Sequence, residues 1–262
     1  MLIIGELING MYKVVAHAIE NRDVELIQHL AEDQVNAGAS ALDVNTGPYS
    51  KDPKDDMKWL VESIQKKVEV PLSIDSPRSD VLEEGIKLCV KRAIINSTSA
   101  DDEKMGKVFG LAIRYKTQVI GLTMDKTGVP NSKERRLELA AKLVAKAVDS
   151  GMNVGDLLLD PIVLPVNVAQ AQCHDVLETI REFRLLSDPA PKTVIGLSNI
   201  SQGAKKRTLI NRTYLVMALA NGLDAAILDP LDKELMDAMI TSELILNRTI
   251  YCDSFLEAYR KK

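Results

Sequence analysis

An α/β fold of the (β/α)8 barrel class, one TIM barrel domain over residues 1–262, is what this sequence predicts. Eight short apolar runs bounded by turn residues predict it, with segments of helical period between them and a spacing of roughly 30 residues per unit. The runs are nearly apolar throughout instead of alternating, which is how parallel strands covered by helices read.

The first run, LIIGELI, covers 2–8 and the second, ALDVN, covers 41–45. Between them Asp23 stands where a helix N-cap belongs and Gly38 where a C′ glycine belongs. TGPYSKDPKDD, from 46 to 56, reads as a polar loop, and Met57, Leu60, Val61, Ile64 and Val68 follow at the spacing of an amphipathic helix. PLSIDS at 71–76 and RAIINST at 92–98 are the third and fourth runs, after which Ser99 is the expected N-cap. QVIGLTM at 118–124 is the fifth, followed by an N-cap at Ser132, a stripe of Ala140, Leu143, Val144, Ala147 and Val148, and a terminating Gly151. LLLDPIV at 157–163, TVIGLSN at 193–199 and AAILDP at 225–230 complete the series, with Asn211 as the expected cap between the last two. No linker, low-complexity tract or short-period repeat divides the chain. A doubly wound open sheet is the competing architecture, because strand closure is not written in one sequence.

Composition narrows the function classes. Thirty-seven acidic against 33 basic residues leave a net charge of −4, which argues against a broad grip on nucleic acid, and 4% aromatics argue against base-stacking platforms. Cys89, Cys173 and Cys252 are odd in number and without CxxC spacing, so neither a disulfide framework nor a zinc knuckle is expected and a reducing cytoplasm fits. MLIIGELING lacks a basic flank, and no stretch approaches the roughly 18 apolar residues of a membrane span, so neither a signal peptide nor a membrane helix is expected. The N-x-S/T matches at Asn96, Asn199, Asn211 and Asn247 are then chance matches.

In a barrel the carboxyl ends of the strands face the active site. Those ends carry Asn9, Asp43, Asn45, Asp75, Asn96, Asp125, Lys126, Asp160, Ser198, Asn199, Gln202 and Asp229, a rim of carboxylates and amides. His17, His29 and His174 all fall in helical segments, and no strand ends in a lysine poised for a Schiff base. An Asp before Pro, as at Asp160 and Asp229, also serves to end a strand and cap a helix, and Asn96 also reads as a turn residue. Convergence favours function: Asp75, Asn96 and Asp160 end the third, fourth and sixth runs, and independent caps have no reason to converge. Asn199 raises its own question, since an unpartnered buried amide costs about 1–3 kcal/mol and something polar should meet it. Two carboxylates and an amide, without metal-ligand spacing or a nucleophile–base pair, suit a flat heterocycle with several N–H donors along one edge, such as a pterin.

PLSIDSP, IINSTSA, LLLDPIV and VIGLSN resemble the strand-end motifs of the pterin-binding barrel superfamily, which includes dihydropteroate synthases and the folate module of cobalamin-dependent methionine synthase. Over essentially the full chain, with DPAPKTVIGLSNISQ, LINRTYL and the terminal YCDSF as signature stretches, the sequence resembles most closely the methyltetrahydrofolate:corrinoid protein methyltransferases of acetogenic and related anaerobic bacteria. The resemblance implies that Asp75, Asn96 and Asp160 hold the pterin ring, that Asn199 is the catalytic amide beside its N5 atom, and that Ser198, Gln202 and Arg207 line the same site. Tetrahydrofolate or 5-methyltetrahydrofolate is then the substrate, and the enzyme a homodimer. One departure is that GELIN places Leu7 where the family commonly has arginine, removing a charge and several donors.

The implied chemistry is an in-line methyl transfer between N5 and the cobalt of a corrinoid, in either direction, with Asn199 donating to N5 as charge develops. No rim residue stands out as a general acid of near-neutral pKa, so the proton is expected from water relayed by the amides. The chain has no DxHxxG, the pattern supplying an axial histidine in corrinoid modules, and Cys173-His174 reads as a helix start; the corrinoid is expected on a separate protein. A dihydropteroate synthase-like enzyme would carry Ser-Arg-Lys after the seventh run, where Ser198, Asn199 and Ile200 stand. A Schiff-base aldolase would need Lys126, which lies in the DKTG turn. A non-catalytic pterin-binding subunit would need Asp75, Asn96 and Asp160 but not Asn199.

Overall fold

All eight apolar runs form parallel strands in the computed structural model, which describes residues 1–251; Cys252 and the rest of the YCDSF stretch beyond Tyr251 lie outside the described residues. The strands are β1 (Leu2–Asn9), β2 (Ala41–Asn45), β3 (Leu72–Asp75), β4 (Ile94–Ser99), β5 (Gln118–Leu122), β6 (Leu157–Asp160), β7 (Lys192–Gly196) and β8 (Ala225–Leu228). They are hydrogen-bonded in chain order, and β8 pairs with β1, Ala225 opposite Leu2, which closes the barrel and excludes the open sheet. The helices α1 (Lys13–Asn21), α2 (Val24–Asn36), α3 (Pro53–Gln65), α4 (Ser79–Ile86), α5 (Asp102–Tyr115), α6 (Lys133–Asp149), α7 (Val166–Ala169), α8 (Gln172–Phe183), α9 (Arg207–Ala220) and α10 (Lys233–Ile245) connect them.

Local chemistry explains most boundaries. Asp23 accepts from the Leu26 amide and Ser132 from the Arg135 amide, while Gly38 and Gly151 take the left-handed φ of 106° and 79° that a helix C′ position favours. Three expectations are corrected. Ser99 ends β4, and Asp101 caps α5 instead, accepting from the Glu103 and Lys104 amides. Asn211 lies inside α9, which starts after a left-handed Lys206 without a side-chain cap. The polar loop ends early, because Asp52 caps α3 through the Asp55 amide and Pro53 supplies the first helical residue. Val148 is 56% exposed, since it stands about 80° round α6 from Ala140, at the margin of the stripe.

The core has two shells. Between sheet and helices lies the larger one, with Phe109, Phe183, Leu60 and Ile64 fully buried. Inside the barrel Ile4, Ala41, Ile94, Ile120, Leu158, Val194 and Ala225 form a separate plug. Side chains alternate across a strand, so the residue two positions beyond each plug residue also faces inward, one layer nearer the carboxyl end. Register shifts interrupt β1 between Gly5 and Ile8 and β4 between Asn96 and Thr98. Bulges of this kind re-aim side chains, here at Glu6 and Asn96. The β1 irregularity is held by buried Gln34 of α2, whose Oε1 accepts from the Leu7 amide at 3.0 Å. A Cβ on Gly5 would lie 2.4 Å from that oxygen, so the close approach requires glycine.

Candidate functional site

Alternation turns a hydrophobic plug into a polar mouth within two residues. Ile4 is followed by Glu6, Ala41 by Asp43 and Asn45, Ile94 by Asn96 and Leu158 by Asp160. On the β2–β4 side these groups bond to one another. Asp43, 3% exposed, accepts at Oδ1 from Ser73 Oγ at 2.7 Å and from Asn96 Nδ2 at 3.0 Å. Asp75 Oδ2 accepts from Asn45 Nδ2 at 2.6 Å, and Asn45 Oδ1 accepts from the Gly47 amide at 2.6 Å. Burial raises both carboxyls, and the charge of Asp75 drives Asp43 further up. Asp43 is raised the further of the two, since hydrogen bonding from Asn45 and the charge of Lys104 hold Asp75 down.

Asp160, at the end of β6, is buried, and among the described residues its carboxyl accepts one hydrogen bond, from the Ile162 amide at 2.7 Å. Burial raises its carboxyl to about 7, partly offset by that bond. Ile162, whose amide this is, adopts φ 64°, a left-handed conformation that costs a β-branched residue on the order of 1–3 kcal/mol.

The third group follows β7. The run TVIGLSN is strand only to Gly196; Leu197–Ser201 turn into a 3-10 helix. Asn199 is therefore lifted out of the wall and exposed, a correction to the expectation of a buried amide met by a polar partner. Its Nδ2 lies over Gly196, where a Cβ would stand 2.9 Å away. Ser198 Oγ donates to Glu6 Oε1 at 2.6 Å. Arg207, the first residue of α9, donates through Nε to Ser201 Oγ at 3.1 Å and through Nη2 to the Ser198 carbonyl at 3.4 Å. Gln202 has an exposed side chain, and its backbone N–H donates to the Asn199 backbone carbonyl at 3.1 Å.

Two functional candidates were missed by sequence reasoning. Asp43 appears only as one of many rim residues, yet it bridges Asn96 to Asp75. Glu6 was not singled out; the signal was a carboxylate two positions after Ile4 in an apolar strand. Burial raises Glu6 to about 7, with the Ser198 hydrogen bond lowering it, Asp229 raising it and Arg207 lowering it. Glu6 and Asp160 thus overturn the expectation that no near-neutral acid lies at the rim, because carboxyls removed from water hold their protons to higher pH. Glu6 also raises Asp43 across the mouth, so the β1/β7 and β2–β4 groups share one electrostatic environment. Among the described residues no group of three His, Cys, Asp or Glu side chains is arranged to hold a metal ion, and no helix is long and apolar enough to cross a membrane.

The mouth therefore presents inward carboxyls able to accept from a row of N–H donors and, separately, an exposed amide on a braced turn. Comparisons with known proteins agree with that chemistry. The pattern of the pterin binding enzyme family matches residues 13–229. A methylcorrinoid:tetrahydrofolate methyltransferase of Eubacterium limosum is 31% identical over 265 aligned positions, covering 100% of this chain and 97% of that protein. The methionine synthase of Mycobacterium tuberculosis is 28% identical over 239 positions, covering 87% of this chain, which spans only 20% of that longer protein. A Yersinia pestis DHPS solved with a pterine-sulfa conjugate superposes with a TM-score of 0.69 at 16% identity, over 95% of this chain and 94% of that one, and so shares the fold.

Proposed function

The chain belongs to the pterin-binding enzyme family, and on that premise we propose that it is a methyltransferase moving a methyl group between N5 of tetrahydrofolate and the cobalt of a corrinoid carried by a separate protein. The E. limosum relative, matched along its whole length, is named for a methylcorrinoid donor and a tetrahydrofolate acceptor. The same groups serve the transfer in either direction.

Asp75, Asn96 and Asp160 hold the pterin in this reading. Asp75 and Asp160 accept from its ring N–H and amino groups, and Asn96, whose Nδ2 is committed to Asp43, offers its Oδ1. Asn199 donates to N5, contributing a few kcal/mol where charge develops on that nitrogen. Ser198, Gln202 and Arg207 build the turn that carries it, and Glu6, exchanging its proton near neutrality beside Ser198, is the nearest proton store to that turn. Leu7 contributes its backbone amide to Gln34, so the turn takes its cationic support from Arg207.

The observation that carries this reading is the separation of roles: buried acids on strands, and an exposed amide on a turn after β7. A dihydropteroate synthase-like condensation shares the first half only, since Ser198, Asn199 and Ile200 stand where that group carries Ser-Arg-Lys, and Arg207 is engaged by Ser198 and Ser201. The proposal includes one domain over 1–262, a cytoplasmic location and a homodimer, for which exposed Leu209, Val216 and Met217 on α9 offer apolar surface. Light scattering of the purified protein tests the dimer. Mixing the protein with methylcob(III)alamin and tetrahydrofolate, or with Co(I) cobalamin and methyltetrahydrofolate, and following corrin absorbance tests the reaction. Unchanged spectra in both directions with folate still bound would identify a non-catalytic pterin-binding subunit.

A further inference from the structure

We propose that Arg136 is a positioning residue for Asp160: from α6 its guanidinium holds the Pro161 carbonyl, fixing the left-handed turn that aims the Ile162 amide at the Asp160 carboxyl. The kinetic consequence rests on the pterin-binding role given to Asp160 above; the geometric claim does not.

Arg135 and Arg136 are neighbours with opposite fates. Arg135 faces solvent and pairs with Asp125 at 2.8 Å and Glu138 at 2.7 Å. Arg136 is 0% exposed and, among the described residues, has no carboxylate within ion-pair distance. It donates through Nε to the Pro161 carbonyl at 2.9 Å and through Nη2 to Gln172 Oε1 at 2.6 Å, while its buried Nη1 meets no partner among the described residues. Gln172 is oriented in turn by Asn131, whose Oδ1 accepts from its Nε2 at 3.3 Å. Burying a cation with no ion pair, only the more distant charge of Asp175 to favour it, and leaving a donor unmet both oppose folding, so core stability gives little reason for this arginine. Its placement gives one. Pro161 and Ile162 are the two residues after Asp160, and Ile162 at φ 64° holds a backbone conformation that its own side chain disfavours. A charged donor on the Pro161 carbonyl fixes the orientation of the peptide unit joining Pro161 to Ile162, which carries the amide given to Asp160 at 2.7 Å. With the clamp removed, Ile162 relaxes to negative φ, and the buried carboxyl loses the one hydrogen bond that opposes its desolvation.

The test compares Arg136→Met, Arg136→Met/Ile162→Gly and Ile162→Pro in the full chain, reading tetrahydrofolate affinity, kcat for methyl transfer and the Asp160 carboxyl titration by carbon NMR. Arg136→Met is expected to weaken folate binding about 10-fold or more, the size of one lost hydrogen bond to a charged group, with kcat at saturation within about 3-fold and the Asp160 titration moved up. Glycine adopts the left-handed turn freely, so the double variant recovers both affinity and titration. Ile162→Pro removes the amide and, by fixing φ near about −65°, the left-handed turn as well while keeping the arginine side chain, and repeats the loss, which gives a second reading should Arg136→Met fail to fold. Wild-type affinity and titration in Arg136→Met, no recovery in the double variant, or wild-type affinity and titration in Ile162→Pro would each overturn the clamp. Asp160→Asn is the control: if it binds folate like wild type, the pterin role of Asp160 fails, while the Asp160 titration in Arg136→Met and Ile162→Pro still decides the clamp.

Discussion

The two sides of the barrel mouth hold their polar groups by different means. On the β2–β4 side Asp43, Asn45, Ser73, Asp75 and Asn96 stand on strands and are bonded to one another, so their geometry is set before any ligand arrives. On the β7 side Asn199 rides on a 3-10 turn, exposed, and its support comes from Ser198, Glu6 and Arg207 around it. A pre-bonded wall suits recognition of a fixed N–H edge, whereas an exposed amide on a braced turn is free to strengthen its bond as charge develops. The difference teaches where to expect affinity effects and where rate effects.

Asn199→Ala breaks the comparison most directly. A single preorganised donor is worth about 10²–10³ in rate, so kcat in the corrin absorbance assay is expected to fall by at least about 10-fold and toward that range, with folate affinity within about 3-fold. Equal losses of rate and affinity would merge the two sides.

Asp160→Asn follows, read in stability against pH. The folded carboxyl titrates at about 7, whereas in the unfolded chain it titrates near its ordinary value of about 3.9. Between those values the native state holds a proton that the unfolded state has lost, so wild-type stability falls as pH rises through that window. Asparagine carries no such proton. The variant should gain on the order of a few kcal/mol relative to wild type at pH 8 compared with pH 4, measured by urea denaturation at both, and a pH-independent difference would remove the desolvation argument.

Asp43 sharpens the account of the wall. Because burial and the charge of Asp75 both disfavour a charged Asp43, Asp43→Asn should cost less than about 1 kcal/mol, while Asp43→Leu strands Ser73 and Asn96 and should cost about 1–3 kcal/mol in thermal unfolding. The smallest effect is expected at Gly196→Ala. Its Cβ pushes on Asn199 Nδ2 and should lower kcat by about 10-fold or less with stability reduced by about 1 kcal/mol or less, since an exposed amide can move aside.

Glu6 and Asn199 mark the limits of what was legible. The eight strands were readable because a buried parallel strand has to be a short apolar run, and the residues proposed to hold the pterin were readable because polar groups ending such runs need a reason. Asp43 and Glu6 were hidden because their weight comes from partners distant in the chain, Asn96 for one and Ser198 for the other, 192 positions from Glu6. Asn199 looked like a strand end because the 3-10 turn after Gly196 has no apolar period to announce it.

By itself the sequence determined the units of the barrel, through periodicity and caps, and the inventory of acids and amides at its rim, since both are local properties of short stretches. Closure of β8 on β1, the raised carboxyl of Asp43, the near-neutral titration of Glu6 and Asp160 and the buried clamp of Arg136 were decided only in three dimensions. Removal from water and the approach of groups from separate elements set each of these, and neither is a property of any stretch of chain alone.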